Sequence, residues 1–250
     1  TGDGGAIQVT GNVVGLTGAA TLDASGATGG GEILVGGDFQ GNNADVRNAW
    51  RTWIGGNVRI DASALATGDG GRVIVWADDW TRFFGNIKAT GGADGGDGGF
   101  AEVSGKRNLG FFGGVDLRAA QGATGMLLLD PVTLRIIDAP PAGNLDANLA
   151  ADGVVAFGDD EPGNDRVTVQ QINATGATSN ITLQAGEIFF ENSGNITLGA
   201  DNDITFQASA TLAGGGTGNI DKTAGTAFTI TTSGAGNITF EAEGLVDLTG

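Results

Sequence analysis

The sequence contains no histidine, no cysteine and no tyrosine among its 250 residues. Without histidine and cysteine the chain cannot form a Ser-His-Asp or Cys-His nucleophile, nor a zinc site built from those two ligands. Without cysteine it has no disulfides and no thiol redox chemistry. Carboxylates, lysine, arginine and hydroxyl groups would have to carry any reaction. We therefore expect the chain not to be an enzyme.

Positive charge is also scarce, since 12 lysines and arginines accompany 29 acidic residues and the net charge is −17. The surplus is uneven: residues 1–130 hold 14 acidic and 9 basic residues, whereas residues 131–250 hold 15 and 3. Nucleic-acid backbones and anionic membranes bind lysine- and arginine-rich patches, so neither is expected as a partner. The surplus of negative charge is best explained by a need for solubility, and binding of calcium or of a basic partner stays open as an alternative.

Long apolar runs are missing as well. No stretch approaches the ~18–20 apolar residues that a membrane helix needs. The chain begins with Thr1 instead of methionine and shows no signal peptide, so we expect a segment of something longer. The lack of cysteine is compatible with an exported protein.

Glycine, in contrast, is abundant at 48 residues, without the every-third-residue period of collagen. A hydrophobic share of 40% argues against disorder. Gly-Gly pairs begin at positions 4, 30, 70 and 98, and each leads into alternating apolar residues. Alternation with a period of two predicts short strands with one buried face.

A second half-repeat follows each pair, of the form apolar-x-Ala, at residues 22–24, 60–62, 87–89 and 117–119. Two Phe-Phe pairs, at 83–84 and 111–112, share a step of 28 residues. Coils stacked at ~4.8 Å would align like residues in ladders. The predicted ladders are Val9/Val35/Val75/Val103, Ala24/Ala62/Ala89/Ala119 and the two phenylalanine pairs.

The repeat length separates two all-β architectures. Steps of 26, 40 and 28 residues fit a parallel β-helix with three short strands per coil and loop excursions. A β-propeller blade of ~40–45 residues is the competing period. The irregular steps and the many glycines favour the β-helix, or solenoid.

Three regions follow from this pattern. Residues 1–131 are Gly-rich coils with an insertion at about 42–53, expected to be a short helix or hairpin. Residues 132–166 are a proline-rich, acidic connection. Residues 167–250 continue as thinner coils, in which Asn-Ile-Thr recurs at 180, 195 and 237, after one or two helical turns capped by Thr168.

The four tryptophans cluster near the insertion, and two roles are open for them. We expect Trp50, Trp53, Trp76 and Trp80 to pack the insertion against the coils. Stacking on sugars is the alternative, because an indole offers a flat apolar face with a polar edge.

Other candidate sites favour structural roles. Asn173, Asn180, Asn195 and Asn237 begin glycosylation sequons, but repeated turns explain the same pattern. The Gly/Asp run at 91–99 resembles calcium-binding β-rolls in composition, yet only one copy occurs. The doublets at 78–79 and 159–160 do not form the paired carboxylates of a glycosidase, since neighbours in a strand face opposite ways. The sequence therefore predicts no catalytic, cofactor-binding or metal-binding residue.

One block carries a family resemblance. Residues 70–78 (GGRVIVWAD), 82–92 (RFFGNIKATGG), 98–106 (GGFAEVSGK), 115–116 and 127–131 (LLLDP) resemble filamentous haemagglutinin-type exoproteins of two-partner secretion. This block spans about 60 residues, while residues 1–66 and 167–250 are similar only in repeat style. The amino-terminal secretion motif of that family, of the Asn-Pro-Asn-Leu type, has no match in the sequence.

The resemblance implies a right-handed parallel β-helix within a large rod that is exported through an outer-membrane partner. It implies an extracellular or bacterial cell-surface location and a role in adhesion, biofilm or surface contact. The expected function is thus a structural segment of a fibrous, adhesin-like protein, with end-to-end stacking on neighbouring copies or continuing chain. A carbohydrate-binding or polysaccharide-processing β-helix is the alternative function.

Overall fold

The chain folds as a parallel β-helix, as the glycine repeat predicts. The computed structural model describes residues 2–138, 166–191, 194–223 and 227–249. In these ranges all the strand pairs between named strands are parallel, and the strands form four sheets along the sides of the coil. The described helices include none long and apolar enough to cross a membrane.

Sheet A forms one side of the coil and takes one strand from each of eight successive coils. In spatial order its strands are β1 (Ala6–Val9), β4 (Glu32–Val35), β7 (Arg72–Ala77), β10 (Phe100–Gly105), β13 (Met126–Leu129), β16 (Asn180–Ala185), β19 (Ile204–Ala208) and β22 (Ile238–Ala242).

Sheet B forms the second side of the coil and has nine strands. Their spatial order is β2 (Val13–Leu16), β5 (Arg51–Ile54), β8 (Trp80–Phe83), β11 (Asn108–Phe111), β15 (Arg166–Thr168), β14 (Thr133–Ile137), β17 (Glu187–Glu191), β20 (Ile220–Lys222) and β23 (Val246–Asp247).

The third side of the coil is divided between two smaller sheets. Sheet C contains β12 (Gly114–Asp116), β9 (Asn86–Lys88), β6 (Arg59–Asp61) and β3 (Thr21–Asp23), and sheet D pairs β18 (Ile196–Ala200) with β21 (Ile230–Ser233). Helix α1 (Val169–Gly176) contacts both β12 and β18, so it occupies the third side between these sheets. The predicted cap is confirmed, because the Thr168 hydroxyl accepts the Gln171 N–H at 3.1 Å.

The predicted ladders of like residues hold the core together. Val9, Val35, Val75 and Val103 are register partners on successive strands of sheet A. The phenylalanine pairs also stack: the ring centroids of Phe83 and Phe111 lie 5.6 Å apart, and those of Phe84 and Phe112 lie 5.5 Å apart. The core therefore consists of columns that run from coil to coil.

The predicted alanine column is wrong in its last member. Ile87 pairs with Val115 and Lys88 with Asp116, so the residue stacked on Ala89 is Leu117, not Ala119. The apolar-x-Ala pattern at 117–119 begins two residues after the true repeat. Leu117 fills the position because its side chain points into the core and is fully buried.

The structure describes the whole insertion and only the two ends of the acidic connection. The insertion expected at about 42–53 contains neither the short helix nor the hairpin predicted for it: a 3-10 turn, Phe39–Gly41, precedes it, and residues 42–50 form no helix or strand before the coil resumes at Arg51. The coil thus resumes before the expected end of the insertion at Trp53. The acidic connection begins with strand β14; residues 139–165, including the doublet at 159–160, lie outside the described residues. The chain returns as β15, which pairs with β11 and β14 and lies between them.

Glycines at the corners before sheet A are required by close backbone contact between coils. A Cβ on Gly71 would lie 2.0 Å from the carbonyl oxygen of Gly31, and a Cβ on Gly31 would lie 2.0 Å from that of Gly5. Gly5 belongs to the first described coil, and a Cβ there would have no heavy atom within 4 Å. A side chain inside this column would force the coils apart.

We expect Gly71→Ala to lower the free energy of unfolding by about 1–3 kcal/mol or more, because the added methyl overlaps backbone that cannot move alone. Gly5→Ala is the matched control in the same column and should change stability by less than about 0.5 kcal/mol. Urea denaturation followed by circular dichroism measures both. Equal losses in the two variants would contradict the stacking role of this corner.

Candidate functional site

A cluster of buried polar side chains lies where the insertion crosses the outer face of sheet A. We call residues 37–48 the strap. Its base is closed by a hydrogen bond of 2.6 Å, in which the Ala49 N–H donates to the Gly36 carbonyl oxygen. A compact loop with joined ends can pack on a sheet as a unit.

Beneath the strap lies a second apolar cluster, separate from the core inside the coil. Leu34, Ile74 and Trp76 point outward from sheet A, yet their exposed fractions are only 6%, 0% and 3%. Val46 of the strap and Phe100 of β10 pack against them. The strap therefore keeps an apolar surface of the coil out of water.

Gln40, at the centre of the strap, connects it to two carboxylates. Its backbone N–H donates to both carboxylate oxygens of Glu102 at 3.2 and 3.1 Å. Its side-chain amide donates to Asp130 Oδ2 at 2.9 Å and to Gln184 Oε1 at 3.3 Å. Gln40 adopts a left-handed backbone conformation, with φ of 52°. Few non-glycine residues do so, and here it aims both donors at the sheet.

Both carboxylates are buried, and burial is the largest cause of their altered proton affinity. Burial raises the pKa of Glu102 to about 8, and the nearby charge of Asp130 adds to this rise. Burial raises the pKa of Asp130 to about 6. The hydrogen bonds from Gln40 act in the opposite direction on both groups. At neutral pH, Glu102 is therefore mostly protonated and Asp130 mostly ionised.

The polar row continues along sheet A beyond the strap. Gln184 donates through Nε2 to Gln207 Oε1 at 2.8 Å, and Gln207 donates to Glu241 Oε2 at 2.9 Å. Asp130 is joined to the preceding coil, since its N–H donates to the Ser104 hydroxyl at 3.1 Å. These bonds link side chains of neighbouring coils along the outer face.

A small cavity adjoins this row. Its volume is about 150 Å³, and it is lined by Gln40, Asn42, Trp76, Lys106, Asp130, Leu212 and Gly214. Asp130 Oδ1 is buried and has no hydrogen-bond partner among the described residues. A buried oxygen of this kind favours a hydrogen-bond donor beside it. The cavity could hold water or a small hydroxylated group.

Three of the four tryptophans are buried, but only Trp76 packs against the insertion as expected, since Trp53 and Trp80 pack against each other on sheet B. Trp53, Trp76 and Trp80 have exposed fractions of 5%, 3% and 1%. Gly37 and Gly41 of the strap pack so tightly on the Trp76 ring that a Cβ on either would lie under 3 Å from it. A sugar-stacking platform needs an open ring face, which these three side chains do not offer.

The Trp80 ring has its neighbours within the protein. The guanidinium carbons of Arg51 and Arg82 lie 5.2 and 5.1 Å from its centroid. Trp53 packs edge-on at a centroid distance of 6.4 Å. Trp80 therefore belongs to a cation–π cluster on sheet B.

The carboxylates at 78 and 79 bind separate protein partners. Asp78 Oδ1 accepts hydrogen bonds from Asn48 Nδ2 and Trp76 Nε1, both at 3.1 Å. Asp79 forms a salt bridge of 3.1 Å with Arg51. One aspartate thus anchors the strap and the other neutralises an arginine.

The sequon asparagines make turn contacts between coils. Asn180 Oδ1 accepts the Asp203 N–H at 2.8 Å, and Asn195 Oδ1 accepts the Thr229 N–H at 2.9 Å. In the Gly/Asp run, Asp97 Oδ1 accepts the Ala123 N–H of the next coil at 2.8 Å. Among the residues that the structure describes, no group of three or more acidic side chains could hold a metal ion.

Gln40, Glu102 and Asp130 were not predicted from the sequence to be site residues. One signal was present: Leu34 and Ile74 are apolar at outward positions of strands whose inward positions are also apolar. Such positions indicate that something covers the outer face. The covering segment and its polar anchors become visible only when distant coils are brought together.

No protein-family model matches this chain, and no curated protein matches it either. Its function must therefore be inferred from its own residues and their geometry.

We expect Trp80→Ala to lower the free energy of unfolding by about 3–5 kcal/mol, because it removes a large buried ring. Trp80→Phe is the matched control: it keeps an aromatic ring and removes an indole N–H that has no hydrogen-bond partner within the described residues. The free energy of unfolding of the phenylalanine variant should fall much less than that of the alanine variant. Urea denaturation measures the free energy of unfolding of both variants. An alanine variant as stable as the parent would contradict the packing role and favour a surface role for this ring.

Proposed function

We propose that this chain is a rod segment of a secreted or cell-surface fibrous, adhesin-like protein, and that it serves surface contact. The observation that carries the proposal is sheet A, in which eight parallel strands pair in sequence from β1 to β22. At ~4.8 Å per strand, this ladder extends about 34 Å along the axis. A regular stack of this kind suits a stiff spacer.

The columns support the same function. Because like residues stack on like, each coil presents nearly the same surface to the coil that follows. Rods built in this way can be lengthened by repetition without redesigning the core. The buried phenylalanine and valine columns resist bending, since a tilt between coils would open gaps in the packing.

The location follows from the resemblance of residues 70–131 to two-partner-secretion exoproteins. In this proposal a longer protein is exported through an outer-membrane partner, and the present coils form part of its rod. The absence of cysteine suits that route, because no thiol can be oxidised outside the cell. The negative net charge favours solubility of the rod.

Contact between rod ends is part of the proposal. Within the described chain, β22 borders a cavity of about 570 Å³ whose lining includes Phe228, Phe240 and Leu248 together with Lys222 and Thr249. At the opposite end, β1 presents Ile7 and Val9 in the same inward columns. A neighbouring copy or continuing chain could pair with either edge and close the core.

A second function, carbohydrate binding or processing, is favoured by one observation. The cavity beside Asp130 contains a buried acceptor oxygen that has no partner among the described residues, and Lys106 also lines it. A few such polar groups in a pocket can orient a polar, hydroxylated ligand. A sugar unit would have to enter a space of about 150 Å³.

The proposed contact role predicts retention of chain-coated beads on a surface. Beads carrying the chain should stay on bacterial or host cell layers under flow several-fold longer than beads carrying Gly71→Ala, whose coils are expected to be disrupted. Gly5→Ala beads are the control and should behave as the parent. A polysaccharide-degradation assay runs in parallel. Cleavage that is lost in Asp130→Asn would overturn the rod proposal in favour of the second function.

End-to-end contact predicts concentration-dependent association of the chain. Ile238 lies on the edge strand β22 and is 36% exposed, so Ile238→Lys should abolish association by placing a charge in the end contact. Leu65→Lys, on the side of the coil at a residue 59% exposed, is the control and should associate normally. Analytical ultracentrifugation measures both. A chain that stays monomeric at every concentration, or association lost only in the Leu65 variant, would contradict end-to-end contact.

A further inference from the structure

The strap is held to sheet A by few polar contacts, and most of them end on carboxylates. Asp38 of the strap pairs with Arg72 of β7 at 2.7 Å. Asn48 donates to Asp78 at 3.1 Å. Between these two anchors, Gln40 makes the contacts to Glu102 and Asp130.

The two central carboxylates differ from the outer anchors in burial. Glu102 is fully buried and Asp130 is 6% exposed. The strap and its acceptors thus enclose two groups that water would otherwise hydrate. Because Gln40 of the strap contacts both groups, closing the strap holds them in a poorly hydrated space and opening it removes that contact.

The charged groups around this pair are few. Arg72 acts on Glu102 from β7, but its guanidinium is also bound by Asp38 and by Glu32 at 2.6 Å. Lys106, at the cavity rim, is exposed. Asp45 and Arg47 of the strap are also exposed. None of these charged groups is placed to neutralise Asp130. Burial raises the pKa of Asp130, and the hydrogen bond from Gln40 lowers it.

We propose that the strap is a proton-controlled cover on the side of the rod, closed over the outward apolar cluster when Glu102 and Asp130 carry protons and released as they ionise. Release would expose Leu34, Ile74 and Trp76, which form an apolar patch between coils. Exposed apolar patches favour association with other surfaces. The proposal rests on this geometry and does not depend on the rod function.

Closure of the strap depends on pH because the two carboxylates bind protons more tightly in the closed state than in the open state. The closed state holds the pKa of Glu102 at about 8, against 4.5 for an ordinary glutamate, and the pKa of Asp130 at about 6, against 3.8. Each group binds its proton more tightly when the strap is closed. Closure is therefore fully favoured at acidic pH, weakens from about pH 4, and loses the contribution of Glu102 as the pH passes 8.

Hydrogen–deuterium exchange of the strap tests the proposal on the whole chain. The reporters are the Gly41 and Asn42 amides, which donate to Asp38 and Phe39 carbonyl oxygens at 2.8 and 3.1 Å. After correction for the intrinsic exchange rate, we expect the opening constant to rise by up to about tenfold per pH unit between pH 6 and 8, the effect of one proton. Amides of β7 should keep their protection.

Two variants separate ionisation from simple loosening. Glu102→Gln keeps an acceptor of the same shape for the Gln40 N–H but cannot ionise. The opening constant of the strap in this variant should therefore change less than about twofold between pH 6 and 8. Asp45→Asn, an exposed strap carboxylate, is the control and should keep the slope of the parent. The same slope in Glu102→Gln as in the parent would overturn the proposal.

The parent protein alone also provides a test if Glu102→Gln does not fold. A strap whose corrected exchange is independent of pH, or whose exchange rises together with that of β7, would show that no local opening follows ionisation. Asp130→Asn should reduce the slope between pH 4 and 6 from the effect of two protons to that of one, which belongs to Glu102. It should also move the upper end of the rise to lower pH, because the charge of Asp130 no longer raises the pKa of Glu102. An opening constant that is flat from pH 4 to 8 in this variant would also count against the proposal.

Discussion

In-register pairing of parallel strands between coils is the interaction on which the rest of the structure depends. A shift of one residue would turn every core side chain outward, so each coil must repeat the pattern of its neighbour. The valine column through Val75 and Val103 and the stacked pair of Phe83 and Phe111 satisfy this condition. The glycine corners follow from the same constraint, because the backbone of one coil lies on that of the next.

This constraint explains why much of the fold was predictable. Identical steps of 28 residues separate Val75 from Val103 and Phe83 from Phe111, and a shared step indicates shared register. The error at Ala119 arose because a short motif was matched without that step. Counting 28 residues from Ala89 gives Leu117, the residue found in the column. Periodicity is thus a better guide to a coil than local similarity.

The same reasoning fails where the chain leaves the coil. A repeat tells which residues must stack, but it carries no information about the path between two stacked strands. The strap was assigned to the right region, while its end, its 3-10 turn and its position on sheet A were not foreseen. The position of β15 between β11 and β14 breaks the sequential order of strands, which no repeat pattern indicates.

The carboxylates under the strap have raised pKa values because they are buried on the outer face of the coil. Glu102 occupies an outward strand position, where a charged residue would ordinarily be hydrated, yet it is fully buried and contacts Gln40 of the strap. The coil tolerates such a cover because its backbone hydrogen bonds are already made with neighbouring coils. The stack can therefore stay intact while an excursion moves. Burying two ionisable groups weakens the attachment of the strap, so the proposed response to pH would be confined to a loop on an intact β-helix.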